Sequence, residues 1–534
     1  MYDVIIKNGI IADGTGKEVY KGDVAIAGEK IAAIGDLDSS QSQKVIDVDQ
    51  KVIAPGFIDI HSHSDATLLA NPLAESKVRQ GITTEVTGQC GTSAAPVMGE
   101  GLKSIQKLYD KFDVQIQWNT VAEYRAELEK KRVSVNTAPL IGLGTVRMDV
   151  MGHASRAASE EELKNMEKVI DQGMSEGAFG VSSGLIYPPG CFSSTEELVR
   201  MARVVAKYNG LYVSHIRGES ETLIASVKEA IDIGERSGAR VHISHHKAAG
   251  KDNWGKVKET LGMIDDARCR GIDVAFDVYP YIAGSTSLVT LIPSWAHEGG
   301  TEALLTRLKD EKIRGRLKKE IREGIEGWEN FAAAAGWENI LIVRLESDKN
   351  KTFEGKTIEE AAKLRDQTPM DTIFDLVLEE EGQTVSMVMF LMCEKDVEQV
   401  MKHHAAHIGS DSATVAPYGI LGSGKPHPRT YGTFPRVLGK YVREREVLPL
   451  AEAIKKMTGA SADRMGMKGR GYIQAGNYAD IVVFDQHQIE DQATFSAPHQ
   501  YGKGIHYVWV NGELVVCEGE HTKKGPGKAL FFQP

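Results

Sequence analysis

Val52-Ile53-Ala54-Pro55-Gly56-Phe57-Ile58-Asp59-Ile60-His61-Ser62-His63-Ser64-Asp65 is the stretch whose reading decides the fold. An apolar run with β-branched residues ends in His-x-His. Strand side chains alternate faces, so His61 and His63 point the same way and can grip one ion together. Later apolar runs end in the same manner: Tyr212-Val213-Ser214-His215, Val241-His242-Ile243-Ser244-His245 and His407-Ile408-Gly409-Ser410-Asp411. Taken singly, each is an ordinary hydrogen-bonded or capping residue. Four such strand ends in a chain of alternating strands and helices point to a metal-dependent hydrolase. His246 rivals His245. Adjacent strand residues face opposite sides, so only one of them serves a given ion, and periodicity does not choose between them.

Working outward, strands are predicted near 53–61, 82–88, 138–143, 179–184, 211–215, 240–245, 273–280 and 404–411. Helical patterns such as Ser159–Glu176, Ser194–Tyr208 and Glu221–Ser237 lie between several of them. Eight parallel strands with helical crossovers predict an α/β fold, a (β/α)8 TIM-like barrel over 56–470, with catalytic groups at the C-terminal strand ends. The gap between the seventh and eighth strands is too long for one helix. Residues 287–345 carry charged helical stretches such as Ala303–Glu323 and are expected to form an inserted cap over the barrel mouth. The chain ends differ from the middle. Residues 1–55 read as short strands broken by glycine turns, and within the C-terminal 471–534 residues 471–516 share the texture, in Ala479–Asp485 and Tyr507–Gly512. Neither end is large enough for its own core, so the two are expected to build one small β-sandwich.

Composition sets the bounds. The 534 residues, 42% hydrophobic and 26% charged, are ordinary for a soluble globular protein with a large core. A net charge of −11 argues against nucleic acid or an anionic membrane as partner, and means that any attraction for an anionic substrate must be local. Five scattered cysteines, Cys90, Cys191, Cys269, Cys393 and Cys517, do not make a disulfide framework. The first residues lack a basic region followed by a long apolar core, and no run of about 18 apolar residues occurs. A soluble, cytoplasmic protein acting on a small molecule is expected; its oligomeric state is left open.

A hydrolytic zinc needs about three protein ligands and an open position for water. It lowers the pKa of that water from near 16 toward about 7 and polarises the substrate carbonyl. A carboxylate must then take the proton and return it to the leaving amine. Asp411, ending the last strand, is the candidate for that role.

Longer motifs carry a resemblance. Asp13-Gly14-Thr15-Gly16, Val52–Asp65 and Gly476-Asn477-Tyr478-Ala479-Asp480-Ile481-Val482 resemble the amidohydrolase superfamily, whose members pair a distorted barrel with a sandwich from both chain ends. Within it the chain resembles the D-aminoacylases (N-acyl-D-amino-acid deacylases) over nearly its whole length. Those matches are Glu85–Gly91, Ser183–Gly190, Ser214–Arg217, Ile243–Lys247, Asp277–Tyr281 and Pro426–Arg429.

The resemblance implies hydrolysis of the amide bond of N-acyl-D-amino acids. It implies that Cys90 ligates zinc in place of the carboxylated lysine of other superfamily members, and a thiolate is a soft ligand that suits zinc. Cys90, His215 and His245 would hold the tight metal, with His245 chosen over His246. His61 and His63 would help form a second, weaker site sharing Cys90. Asp411 becomes the general acid/base. Arg429 matches the family's carboxylate-binding arginine, whose planar fork suits that task. Tyr187, Tyr279 and Ser285 match its hydrogen-bonding partners, and Lys247 a lysine near the active site. One departure is notable: Ser412–Lys425 sets Arg429 farther from Asp411 along the chain than in the best-known D-aminoacylases, and this glycine-rich segment is expected to loop over the site. The alternatives are a cyclic-amide hydrolase of the dihydroorotase or hydantoinase kind and a non-catalytic scaffold. Against the first, Ala178–Leu185 on the fourth strand holds no lysine to be carboxylated; against the second, the ligand set is complete.

Overall fold

The decisive stretch crosses between two bodies at Pro55-Gly56. The structure is a computed structural model describing residues 1–383 and 385–533. In it Val52–Pro55 belongs to a nine-stranded sheet and Phe57–Asp59 to the barrel. Val52–Pro55 pairs antiparallel with Ile481–Phe484, and the Gly56 N–H donates to Asp480 O at 2.9 Å. The crossing is tight: a Cβ on Gly56 would lie 2.2 Å from the Thr83 methyl carbon.

That sheet runs from Glu520–His521 through Glu513–Cys517, Ile505–Val510, Ile481–Phe484 and Val52–Pro55 to Tyr2–Ile11, Tyr20–Ala27 and Lys30–Gly35, with Ser42–Asp47 beside Tyr2–Ile11. Its apolar core joins Ile6, Val24, Ile26 and Ile53 to Ile481, Val483 and Trp509. Each chain end thus supplies apolar surface that the other covers.

The barrel strands are β1 (Phe57–Asp59), β2 (Ile82–Thr87), β3 (Asn136–Pro139, resuming at Ile141–Gly142), β4 (Gly180–Gly184), β5 (Leu211–His215), β6 (Arg240–Ile243), β7 (Val274–Val278) and β8 (Ala406–Ile408). Neighbours pair in parallel around the ring. The ring is distorted at two places. β3 breaks at Leu140, whose N–H still donates to Thr87 O at 3.0 Å. The backbones of β8 and β1 join just beyond the strand ends, through a Ser62–Ser412 bridge and an Asp411 N–H bond of 2.8 Å to His61 O. Ile58, Val86, Ala138 and Val213 fill the lumen, with Met465 and Phe532 packed against them.

Helix ends follow their residues. Ser159 and Ser194 cap Glu160–Ser175 and Thr195–Ala206 by accepting from the N–H three residues on, and Gly238 ends Leu223–Ser237 in the left-handed region. Among the described residues no helix is long and apolar enough to cross a membrane.

The insertion is larger than the expected 287–345. Ala283–Ser287 pairs with Ser386–Phe390, which also pairs with Ile340–Arg344, so the chain leaves and returns by neighbouring strands. Ile358–Leu364 and Pro369–Glu379 pack into the same core as Thr301–Lys309 and Glu311–Glu323. The charged helical texture that marks the unit in sequence covers only its first half. The closing strand is set by non-local pairing that no local pattern announces.

Candidate metal centre and active site

Six side chains converge just beyond the C-terminal ends of the barrel strands. His61 and His63 follow β1, Cys90 follows β2, His215 ends β5, His245 follows β6 and Asp411 follows β8. All but His61 line a cavity of about 470 Å³, and His61 lies behind its wall, fully buried. Cys90 Sγ is 3.4 Å from His61 Nε2 and 3.7 Å from His245 Nε2. Asp411 Oδ1 is 3.0 Å from His63 Nε2 and 3.5 Å from His61 Nε2. The His215 ring stands edge-on to His245 at 4.4 Å between centroids.

Buried polar atoms normally have partners. His215 is buried, yet neither of its ring nitrogens has a hydrogen-bond partner. Beside it stand a buried thiol and further imidazole nitrogens, the soft and borderline donors that suit zinc. The charges also call for a cation. Burial opposes ionisation of Cys90, but the His61 charge and the neighbouring His215 and His245 imidazoles hold the thiol well below its ordinary value. Burial likewise disfavours a charged His63, yet Asp411 and Cys90 raise it to about 9. The donor set fits a metal.

Two buried carboxylates orient these rings. Asp277, at the end of β7, sits 3.2 Å from His61 Nδ1 and 3.1 Å from His242 Nε2, and accepts the His245 N–H at 2.9 Å. Glu219 Oε1 is 2.9 Å from His245 Nδ1 and accepts from Lys247 Nζ at 2.5 Å. Each turns a ring Nε2 toward the cavity, the usual task of partners behind a ligand. His246 faces away, with Nε2 2.8 Å from Thr260 Oγ1 and its ring on Phe276.

The backbone is strained where these groups meet. Cys90, His245 and Asp411 all adopt positive φ, at 52°, 36° and 49°, a region non-glycine residues seldom occupy outside functional sites. Three glycines let the Cys90 loop lie directly on the neighbouring strands. A Cβ on Gly184 would meet Cys90 O at 2.1 Å, one on Gly142 would meet Gly91 O at 2.6 Å, and one on Gly91 would meet Gly184 N at 2.7 Å. Cys90 therefore reaches across the end of β4, where the chain itself offers only Gly184.

Tyr187, Lys247, Tyr279, Ser285 and Arg429 line the same cavity. Arg429 Nη1 is 2.9 Å from Asp411 Oδ2, and the guanidinium carbon lies 4.7 Å from the Tyr279 ring centre. Ser285 Oγ donates to Met387 O at 2.9 Å, and the Tyr187 hydroxyl is 3.0 Å from Thr286 Oγ1. Arg429 is held from behind: its N–H donates to His427 Nδ1 at 3.0 Å, and His427 Nε2 donates to Ala283 O at 3.0 Å. One clamp thus joins Arg429 to the strand that carries Ser285.

The segment after Asp411 does not loop over the site as expected. None of residues 412–428 lines the cavity. Thr414 and Ala416 are buried, the Tyr418 hydroxyl meets Glu75, and the Lys425 N–H donates to Val343 O of the cap at 2.6 Å. The extra glycines let the chain bend against the cap: a Cβ on Gly424 would come within 2.9 Å of Val343 O.

Sequence reading missed Asp277, Glu219, His427 and Gly184. Asp277 carried a signal, since it ends an apolar run in the same way as His215. The other three are defined by contacts with distant segments.

Comparison with known proteins places the chain. A model of the amidohydrolase family matches residues 44–516. The D-aminoacylase of Alcaligenes xylosoxydans xylosoxydans is 34% identical over 99% of this chain and 97% of its own length. A solved D-aminoacylase with a binuclear metal centre, in which one metal activates and the second attenuates, superposes with a TM-score of 0.83 at 34% identity over the whole of both chains. The N-acyl-D-glutamate deacylase of Bordetella bronchiseptica, complexed with zinc and a phosphonate mimic of the tetrahedral intermediate, gives 0.84 at 31% identity, covering 99% of this chain and all of that one. Fold, cavity and full-length similarity agree that the chain belongs to the amidohydrolase family.

Proposed function

We propose that this chain hydrolyses the amide bond of N-acyl-D-amino acids, releasing a carboxylate and the free D-amino acid. The observation that carries the reading is one cavity holding both halves of such a site: Cys90, His215 and His245 on one side, Arg429, Tyr279 and Ser285 on the other. The full-length relatives are named for this chemistry.

Cys90, His215 and His245 would hold a tightly bound zinc, and His61 and His63, sharing Cys90, a weaker second one. When bound, the ion lowers the pKa of water toward about 7 and polarises the acyl carbonyl. Asp411 does the proton work. Burial opposes its ionisation, but Arg429 and His61, with the hydrogen bond from His63, hold it well below the usual carboxylate range. It is therefore an anion at neutral pH, able to accept the proton of the attacking water and pass it to the leaving nitrogen. Arg429 receives the substrate carboxylate. Its Nη1 lies near Asp411 without an aligned hydrogen bond, so a donor remains to be given. Ser285 and the Tyr187 and Tyr279 hydroxyls complete the receptor, and a carboxylate fixed there presents one face of Cα to the reacting centre. Lys247, tied to Glu219 and to His245 Nδ1 at 2.7 Å, holds that ligand rather than the substrate.

The test couples two measurements: zinc bound per chain, and free amine released from matched N-acetyl-D- and N-acetyl-L-amino acids. About one or two zinc with release from the D series alone supports the reading. Zinc with no release from either series, or release from the L series, overturns it.

A further inference from the structure

Resting on that reading, we infer that the substrate's side chain is neutral and apolar, a D-methionine or D-leucine type, rather than the acidic side chain of D-glutamate or D-aspartate. The argument is one of cations and walls. With the α-carboxylate on Arg429 and Ser285, the side chain on Cα lies within one bond of that receptor. The wall there is built by the cap. Ala283–Ser287 runs beside Ser386–Phe390 in a register that sets Met389 opposite Gly284, the neighbour of Ser285. Met389, Leu391 and Phe331 are buried, line the cavity and carry no charge, and Ile186 joins them.

A second carboxylate would find no free lysine or arginine. Among the described residues, the lysine and arginine side chains lining the cavity are Lys247 and Arg429. Lys247 Nζ is engaged at 2.5 Å by Glu219 and at 2.7 Å by His245 Nδ1. Arg429 already receives the α-carboxylate. A side-chain carboxylate would therefore lose its water without gaining a lysine or arginine, facing Asp411 and Glu219 across the same cavity. Lys107 and Lys111 line a neighbouring cavity, but that one meets the site at Cys90, Thr92 and Tyr187 and includes none of Arg429, Ser285 or Met389. An apolar side chain needs only the displacement of water from Met389, Leu391 and Phe331.

The experiment compares kcat/KM for N-acetyl-D-Met, N-acetyl-D-Leu, N-acetyl-D-Glu and N-acetyl-D-Asp on the zinc-loaded full chain. The expected result is a preference of at least about 100-fold for the neutral pair. A preference for D-Glu or D-Asp overturns this inference and leaves the deacylase reading standing. No release from any of the four defeats the deacylase reading itself. Met389→Arg adds a cation to the wall and should narrow the neutral-to-acidic ratio by 10-fold or more. An unchanged ratio in a folded, zinc-bound variant counts against Met389 as the side-chain wall, and if that variant does not fold, the wild-type panel still decides.

Discussion

Arg429 Nη1 and Asp411 Oδ2 stand 2.9 Å apart, so the proposed carboxylate receptor and the proposed proton carrier are in direct contact. A substrate carboxylate arriving at Arg429 competes with Asp411 for the same cation. On the proposed mechanism, binding would loosen the charge that keeps Asp411 an anion and raise its basicity as the substrate arrives. The longer chain between the two does not separate them, because the extra residues run outward to the cap.

Asp411→Asn keeps the shape and removes the proton acceptor. Activity should fall by several orders of magnitude while the tight zinc stays bound, since Cys90, His215 and His245 are untouched. Turnover and metal content measured on one preparation check this. Near-normal turnover would remove Asp411 from the mechanism.

Arg429→Lys keeps a charge but loses the planar fork. The expected change is a rise in KM of roughly 10- to 100-fold, with a smaller loss in kcat. An equal loss in kcat and kcat/KM, with KM unmoved, would mean that Arg429 acts on Asp411 alone.

Much of this was legible in the chain. The eight strands stand out because parallel barrel strands are short apolar runs, and those that run into His61, His215, His245 and Asp411 are broken by a polar residue. The choice of His245 over His246 was not legible from periodicity. His245 takes φ of 36°, which rotates it off the strand's alternation. Cys90 entered through the resemblance, since a lone cysteine after β2 has no local mark of a ligand. Asp277 and Glu219 act only through rings brought to them by the barrel's closure. The second half of the cap is tied by a strand pairing that spans about a hundred residues, and nothing local records it.

Cys90→Ala should strip the tight zinc, and Gly184→Ala should weaken it without changing a ligand side chain. The added methyl would meet Cys90 O at 2.1 Å, and backbone cannot yield as a flexible side chain does. Zinc content after dialysis against a weak chelator is expected to fall in the order wild type, Gly184→Ala, Cys90→Ala. Full zinc in Cys90→Ala would exclude the thiolate as ligand.

Lys77 braces the β1–β8 seam. Fully buried, it donates to Asp59 at 2.8 Å and Ser410 Oγ at 2.9 Å and lies 3.0 Å from Glu85. Asp59 in turn accepts the Ser410 N–H at 2.8 Å, across the β1–β8 seam. Lys77→Met leaves two buried carboxylates without their cation, a loss on the order of 3–5 kcal/mol. Denaturant unfolding measures it. A change below about 1 kcal/mol would show that the seam is held by its backbone contacts instead.

Glu329 gives a pH test at a carboxyl that is not itself a proposed ligand. It is buried where the cap meets the loop after β5, with Oε1 unpartnered. Burial pushes its carboxyl up to about 7, the Glu219 charge adds to the rise, and a hydrogen bond with Ser220 opposes it. An acid raised in the folded state keeps a proton that the unfolded chain releases. Stability therefore falls as pH rises from about 4.5 to about 7 and levels off above, by roughly 3 kcal/mol at most. Glu329→Gln removes that dependence and leaves every other titrating group in place. Urea unfolding of both proteins at pH 5 and pH 8 should show the variant gaining on the wild type at the higher pH. If the difference between them is the same at both, Glu329 carries no buried proton.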